Sequence, residues 1–206
     1  MRRSKVYIAG FDVFRRDAEI VFASIRMSAA MLGLEALVPT DCDLAVGKDG
    51  TPAEVAFKIR ESNITLLQSA DGVIANLAPF RGLEPDAGTV YEVGFAQALG
   101  LPVAGYSKSR ASYASRVGSV IECKRNEDSS LREVQSGMAV EDFGLPMNLM
   151  LACGLDLHAS AVDALRAVAD TLSKRRVRPP YGSDEPCPSR RLRVSPQPSL
   201  REQPAL

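Results

Sequence analysis

Residues 70–100 read ADGVIANLAPFRGLEPDAGTVYEVGFAQALG. The apolar run Val73-Ile74-Ala75-Asn76-Leu77 predicts a buried strand over 71–77. A polar loop rich in Pro and Gly follows over 78–88. The pattern then predicts a helix over 89–99, stopped by Gly100. Glu92 falls in the first turn of that helix, and Asp86 precedes it in the loop. A strand, a polar loop and a helix N-terminus in succession form the usual small-ligand site of an α/β sheet.

Working toward the N-terminus, 51–69 is the clearest helix. Thr51 can cap it, Pro52 suits its first position, and Glu54 completes a capping box. A strand is predicted over 34–38, a helix over 17–32 with Gly33 as its stop, and a first strand over 5–9 closed by Gly10. Toward the C-terminus, 101–106 predicts a fourth strand, and 107–137 a partly exposed insertion around a short helix at 112–117. Residues 138–143 are expected to form a short fifth strand, 146–153 a short helix and 159–173 a long amphipathic one. The order is strand-helix repeated, and the strands are apolar on both faces. That predicts a parallel sheet covered by helices on both sides.

The chain has 206 residues, enough for one domain with a real core, expected over 1–173. Beyond 173, seven prolines alternate with Ser, Arg and Gln without apolar periodicity, so 174–206 is expected to be a disordered tail. Net charge is zero, but eight basic and three acidic residues fall in that tail. Positions 1–173 keep 17 basic and 22 acidic residues, a net of −5. A mildly acidic body argues against nucleic-acid binding. Cys42, Cys123, Cys153 and Cys187 are scattered, and His158 is the only histidine. No metal-ligand spacing, no disulfide framework, no Walker A motif and no GxGxxG pattern arises, so neither metal nor cofactor is expected. No run approaches a membrane span or a signal h-region, so a cytoplasmic location is expected.

Several residues can carry chemistry. A carboxylate near a helix N-terminus is held ionised by the helix dipole and can attack an anomeric carbon. On spacing alone, Glu92 is more often a helix-stabilising glutamate. Asp86 can equally be a cap. Arg81 can bind an anionic group, or brace its loop through Glu84 or Asp86. Tyr7 and Gly10 close the first strand, where glycine lets backbone approach a ligand or simply makes a turn. Phe14 can stack on a base or cover the sheet end. Asn63 sits mid-helix, where an amide is mildly unfavourable, so it is either functional or exposed.

Five segments in order change that balance. They are Tyr7-Ile8-Ala9-Gly10, Ala75-Asn76-Leu77 with Pro79-Phe80-Arg81-Gly82, and Glu84-Pro85-Asp86-Ala87-Gly88-Thr89-Val90-Tyr91-Glu92-Val93-Gly94. Ala98-Leu99-Gly100-Leu101-Pro102-Val103 and Pro146-Met147-Asn148-Leu149-Met150 complete the set. Together, over about residues 5–172, they resemble the nucleoside 2-deoxyribosyltransferase family. The resemblance implies a flavodoxin-like, three-layer α/β fold with a central parallel sheet of about five strands. It implies transfer of 2-deoxyribose between nucleobases through a covalent deoxyribosyl-glutamate. Glu92 matches the family's nucleophile, Tyr7 the tyrosine that orients it, and Asp86 the aspartate that contacts the sugar 5′-hydroxyl. Asn148 matches an asparagine given to a neighbouring subunit's site, and Met150 a residue lining that shared pocket. The implied partners are a 2′-deoxynucleoside, a free nucleobase and further copies of the chain. Gly10, Phe14, Asn63, Arg81 and Gly88 are the other expected substrate contacts. Two features depart from the family pattern. Phe11 stands where proline usually follows Gly10, and Asn63 stands near where some relatives place an aspartate.

Two alternatives follow from the same residues. An N-glycoside hydrolase of nucleosides or nucleoside 5′-monophosphates is one. A phosphate dianion beside Asp86 would be repelled, which favours free nucleosides. A non-catalytic nucleotide-derivative sensor is the other, and it has no chemical need for Glu92.

Overall fold

A computed structural model describes residues 2–40 and 50–177. Cys42, Cys187 and most of the expected tail lie outside the described residues. The chain runs β1 (Ser4–Ala9), a 3-10 turn (Phe11–Phe14), α1 (Ala18–Met31), β2 (Leu34–Leu37), α2 (Pro52–Gln68), β3 (Gly72–Asn76) and α3 (Ala87–Ala98). It continues through β4 (Val103–Tyr106), α4 (Tyr113–Gly118), β5 (Cys123–Arg125), β6 (Leu131–Glu133), α5 (Leu149–Ala152), β7 (Asp156–His158) and α6 (Ala161–Val177).

Five strands form one parallel sheet in the order β2-β1-β3-β4-β7. This is the flavodoxin-like arrangement, in which the chain steps outward from β1 to β2 and returns to β3 on the other side. Side-chain alternation along β1 feeds two cores. Val6 and Ile8 pack with Phe22, Ile25, Leu165 and Val168 of α1 and α6. Tyr7 and Ala9 pack with Leu67, Val93 and Ala96 of α2 and α3, and with Met147 and Leu151. A strand buried on both faces must be apolar throughout, which is why β1 and β3 lack a polar alternation.

The helix signals hold where their chemistry is local. Thr51 accepts from Glu54 N at 3.3 Å while Glu54 Oε2 accepts from Thr51 N at 2.7 Å, with Pro52 opening α2. α1 stops at Gly33, whose φ is 73°.

Two segments differ from expectation. Residues 138–143 do not supply the fifth strand of the main sheet. Val140 N donates to Leu131 O at 2.9 Å and Ala139 bridges Arg132, so this segment lies against the antiparallel β5-β6 hairpin. The fifth strand is β7, on the edge beside β4, where Ser107 N also donates to His158 O at 3.0 Å. An edge strand of three residues with one apolar side chain leaves almost no periodic signal. The last helix also continues past residue 173 to Val177, and Arg175 Nη1 donates to Gly100 O at 3.1 Å.

Candidate active site

Helix α3 begins two residues earlier than its apolar pattern suggests. Asp86 is its N-cap, and Asp86 Oδ2 accepts from Thr89 N at 2.9 Å and from Thr89 Oγ1 at 3.1 Å. The expected capping role of Asp86 is therefore present, and its Oδ1 is not used in the cap. The early start places Glu92 in the second turn, with no acidic residue in the first. The helix dipole falls off within the first turn, so it does not hold Glu92 ionised.

Burial has the opposite effect. Glu92 is half-buried, and desolvation pushes its carboxyl up to about 7, against an ordinary value of 4.5. The Tyr7 hydroxyl, donating to Glu92 Oε1 at 2.6 Å, pulls it down, and the Asp86 charge adds a smaller upward push. Tyr7 is 0% exposed, so strand β1 delivers this hydroxyl from within the core to the face of α3. The expectation of a dipole-ionised carboxylate is thus replaced by a carboxyl poised near neutrality.

Glu92 opens on a cavity of about 390 Å³ between α2 and α3. Ala56, Ile59, Arg60, Asn63 and Ile64 line one wall, and Gly88, Tyr91 and Glu92 the other. Asn63 is not exposed as a surface amide. Its Oδ1 is buried with no hydrogen-bond partner among the described residues. A buried acceptor left unpaired costs about 1–3 kcal/mol and marks a place where a donor is missing. Gly88 faces the same cavity, and a Cβ there would stand 3.1 Å from Asp86 Oδ2.

Gly10 cannot carry a side chain. A Cβ at this position would lie 2.8 Å from Asn76 Cβ, and its φ is 156°. Phe14, 60% exposed, stacks on Phe80 with ring centroids 5.5 Å apart, and Phe11 stacks on the same ring at 4.8 Å. Arg81 lies over both Phe14 and Phe80, at 5.3 and 4.6 Å from the centroids. It makes neither of the expected ion pairs with Glu84 or Asp86 among the described residues. Its loop is braced instead by Arg116, which donates to Leu83 O at 3.1 Å and also to Ala111 O and Pro146 O.

Asn148 and Met150 do not line the Glu92 cavity of their own chain. Asn148 caps α5, with Oδ1 accepting from Met150 N at 3.0 Å and Nδ2 donating to Glu141 Oε1 at 2.8 Å. Met150 is 75% exposed. Arg60 and Tyr91 also line the Glu92 cavity, and sequence reasoning missed them. Arg60 Nη2 donates to Tyr91 OH at 3.2 Å across the cavity wall. The signal was present in the helical spacing of 56, 59, 60, 63 and 64, which puts Arg60 on the same face as Asn63.

A core tyrosine thus donates to a carboxyl poised near neutrality beside a five-stranded parallel α/β sheet. The chain belongs to the nucleoside 2-deoxyribosyltransferase family, whose model matches residues 6–150. A 2-deoxyribosyltransferase from Leishmania mexicana superposes with a TM-score of 0.64 at 32% identity, covering 81% of this chain and 97% of that one. A 2-deoxyribosyltransferase from Bacillus psychrosaccharolyticus shares the fold, with a TM-score of 0.53 at 18% identity over 82% of this chain and 96% of that one. An uncharacterised protein of Schizosaccharomyces pombe is 34% identical over 115 residues, which is 55% of this chain and 54% of that protein. The match therefore spans about half the length of that curated relative. Among the described residues, no helix is long and apolar enough to cross a membrane.

Proposed function

We propose that this protein transfers 2-deoxyribose between nucleobases by a retaining double displacement at Glu92. The observation that carries the proposal is the 2.6 Å bond from the Tyr7 hydroxyl to Glu92 Oε1, beside the unpaired Asn63 Oδ1 in one cavity.

In the first step, ionised Glu92 attacks C1′ of a 2′-deoxynucleoside. An ester C–O bond forms, the C1′–N bond breaks, and the base leaves with its electron pair and takes a proton from water. In the second step, a nitrogen of the incoming base attacks C1′ and gives its proton to the hydroxide left by the first step, while the C1′–O ester bond breaks and returns the Glu92 carboxylate. Two inversions at one carbon retain configuration. Tyr7 orients the carboxylate by its hydrogen bond. Asp86 Oδ1, not used in the cap, accepts from the sugar 5′-hydroxyl. Asn63 Oδ1 accepts from an N–H of the base, and as an amide it positions the base without acting as an acid. Gly88 keeps backbone close to the ligand, whereas Gly10, Phe14 and Arg81, expected as substrate contacts, do not line this cavity.

The exposure of Met150 and the absence of Asn148 from its own chain's cavity support a site completed by a second copy. Mixing inactive Glu92→Ala and Asn148→Ala proteins then restores part of the activity. No recovery despite demonstrated subunit exchange counts against a shared site.

The direct assay incubates the protein with 2′-deoxyinosine and adenine and follows 2′-deoxyadenosine by chromatography. Exchange supports the transferase. Free deoxyribose without exchange indicates a hydrolase, and binding without turnover a sensor. Glu92→Ala abolishes turnover while the fold persists, and near-normal activity in that variant refutes the assignment.

A further inference from the structure

On the opposite face of the sheet, a cavity of about 590 Å³ lies between α1 and the start of α6. It exceeds the Glu92 cavity and shares no lining residue with it. Its walls are apolar, formed by Val21 and Ile25 of α1 and Leu165 of α6. Its floor is made by the C-terminal ends of β1, β3 and β4, where Asp12, Asn76, Tyr106 and Ser107 meet.

Asp12 is only 5% exposed. Its Oδ2 accepts from Asn76 Nδ2 at 2.8 Å and from the Tyr106 hydroxyl at 3.4 Å. Burial and the Asp12 charge both push the Tyr106 hydroxyl well above its usual range, so it stays a donor. Asp12 Oδ1 makes no hydrogen bond among the described residues and, unlike Asn63 Oδ1, is not a buried orphan, so it is open to the cavity; no ion pair among the described residues includes Asp12. A buried carboxylate is ordinarily paired with a cation or fully hydrogen-bonded. Two neutral donors hold one oxygen, and the other is left to whatever enters the cavity. Arg15, at the cavity mouth, is held by Asp17 through two bonds of 2.8 Å, and the Asp12 charge acts on it only as the smallest of its influences. Lys108 at the mouth is exposed, so solvent screens it from the floor.

We propose that this cavity is a second ligand site, distinct from the Glu92 cavity, that takes a small organic cation: Asp12 Oδ1 accepts from its ammonium or amidinium group, and Ile25, Val21 and Leu165 enclose its apolar body. The volume suits a ligand with an aromatic ring or a branched alkyl chain. The site needs no residue of the proposed transfer machinery, so its fate is separate from that of the reaction assigned to Glu92.

Benzamidine, its neutral isostere benzamide, and benzoate are the probes, titrated into the full chain and followed by calorimetry and amide NMR shifts. Benzamidine binds at least about tenfold more tightly than benzamide, as a charge-assisted bond to a buried carboxylate requires. Shifts concentrate at Ser107 and Val162, not at Gly88 and Tyr91. Asp12→Asn removes the advantage of benzamidine over benzamide. Ser24→Trp, which fills the cavity from the exposed side of α1 and leaves Asp12 untouched, weakens benzamidine binding and decides the matter if Asp12→Asn fails to fold. Equal binding of benzamidine and benzamide, preference for benzoate, shifts centred on Gly88 and Tyr91, or indifference to Ser24→Trp each overturns the proposal.

Discussion

Tyr7→Phe isolates the hydrogen bond on which the proposed reaction turns. The substitution keeps the ring that fills the core and removes only the hydroxyl that donates to Glu92 Oε1 at 2.6 Å. That bond favours the ionised carboxylate, and burial opposes it. A hydrogen bond to a charged group contributes about 1.5–3 kcal/mol, and each pKa unit corresponds to about 1.4 kcal/mol. Without the hydroxyl, the Glu92 carboxyl rises from about 7 by roughly one to two units, to about 8–9. The assay is kcat/KM for deoxyribosyl exchange between pH 5 and 10, which reports the free enzyme's ionisation. The wild-type profile rises with pH through about 7. In Tyr7→Phe the rise moves to about 8–9, so the loss is roughly five- to fifty-fold at pH 7 and shrinks to a few-fold above pH 9. An unmoved limb, or a loss equal at every pH, refutes the assignment of Tyr7 as the group that holds Glu92 ionised.

Glu92→Gln tests the cost of that burial. The folded carboxyl titrates near 7 and the unfolded one near its ordinary 4.5, so folding takes up a proton between these values and stability falls as pH rises through that window. The variant therefore raises Tm at pH 8 and leaves it nearly unchanged at pH 4, as thermal unfolding at the two pH values checks. Asp86→Asn preserves the cap of α3, because Asn caps as well as Asp, so stability changes by less than about 0.5 kcal/mol. The same variant raises KM for the nucleoside by about tenfold and, with the Asp86 charge gone, moves the pH limb below the wild-type value. Asn63→Asp places an acid in the Glu92 cavity, and the pH–rate profile gains a falling alkaline limb that the wild type lacks.

The parts of the fold that were legible are those set by local chemistry. A capping box, glycine stops and unbroken apolar runs depend on neighbours in sequence, and β1 to β4 with α1 and α2 follow from them. β7 was hidden because Asp156-Leu157-His158 is recognised only by β4 beside it. The hairpin of β5 and β6 was hidden because Cys123-Lys124-Arg125 and Leu131-Arg132-Glu133 carry no apolar alternation. At the site, Asp86 was readable as a cap, yet the start of α3 was set too late because Ala87 and Gly88 read as loop. Those two residues decide whether the helix dipole or burial governs Glu92, and burial does. Arg81 shows a different gap: its partners, Phe14 and Phe80, come from separate loops, and no spacing in one segment encodes their stacking.

The two opposing influences on Glu92 correspond to the two halves of the proposed reaction. Desolvation makes the carboxylate more basic and so a stronger nucleophile toward C1′. The same basicity makes it a poorer leaving group when the second base attacks. The Tyr7 hydroxyl answers that second difficulty, because its bond strengthens as negative charge returns to Oε1. Tyr7→Phe therefore slows breakdown of the deoxyribosyl ester more than its formation once pH is high enough to ionise Glu92. Rapid mixing at pH 9.5 then gives a burst of free base followed by slow transfer, and intact-mass analysis of the quenched protein detects the sugar adduct in Tyr7→Phe at higher occupancy than in wild type. A first step slowed as much as the second, with no adduct accumulating, contradicts a leaving-group role for Tyr7 and leaves orientation of Glu92 as its only contribution.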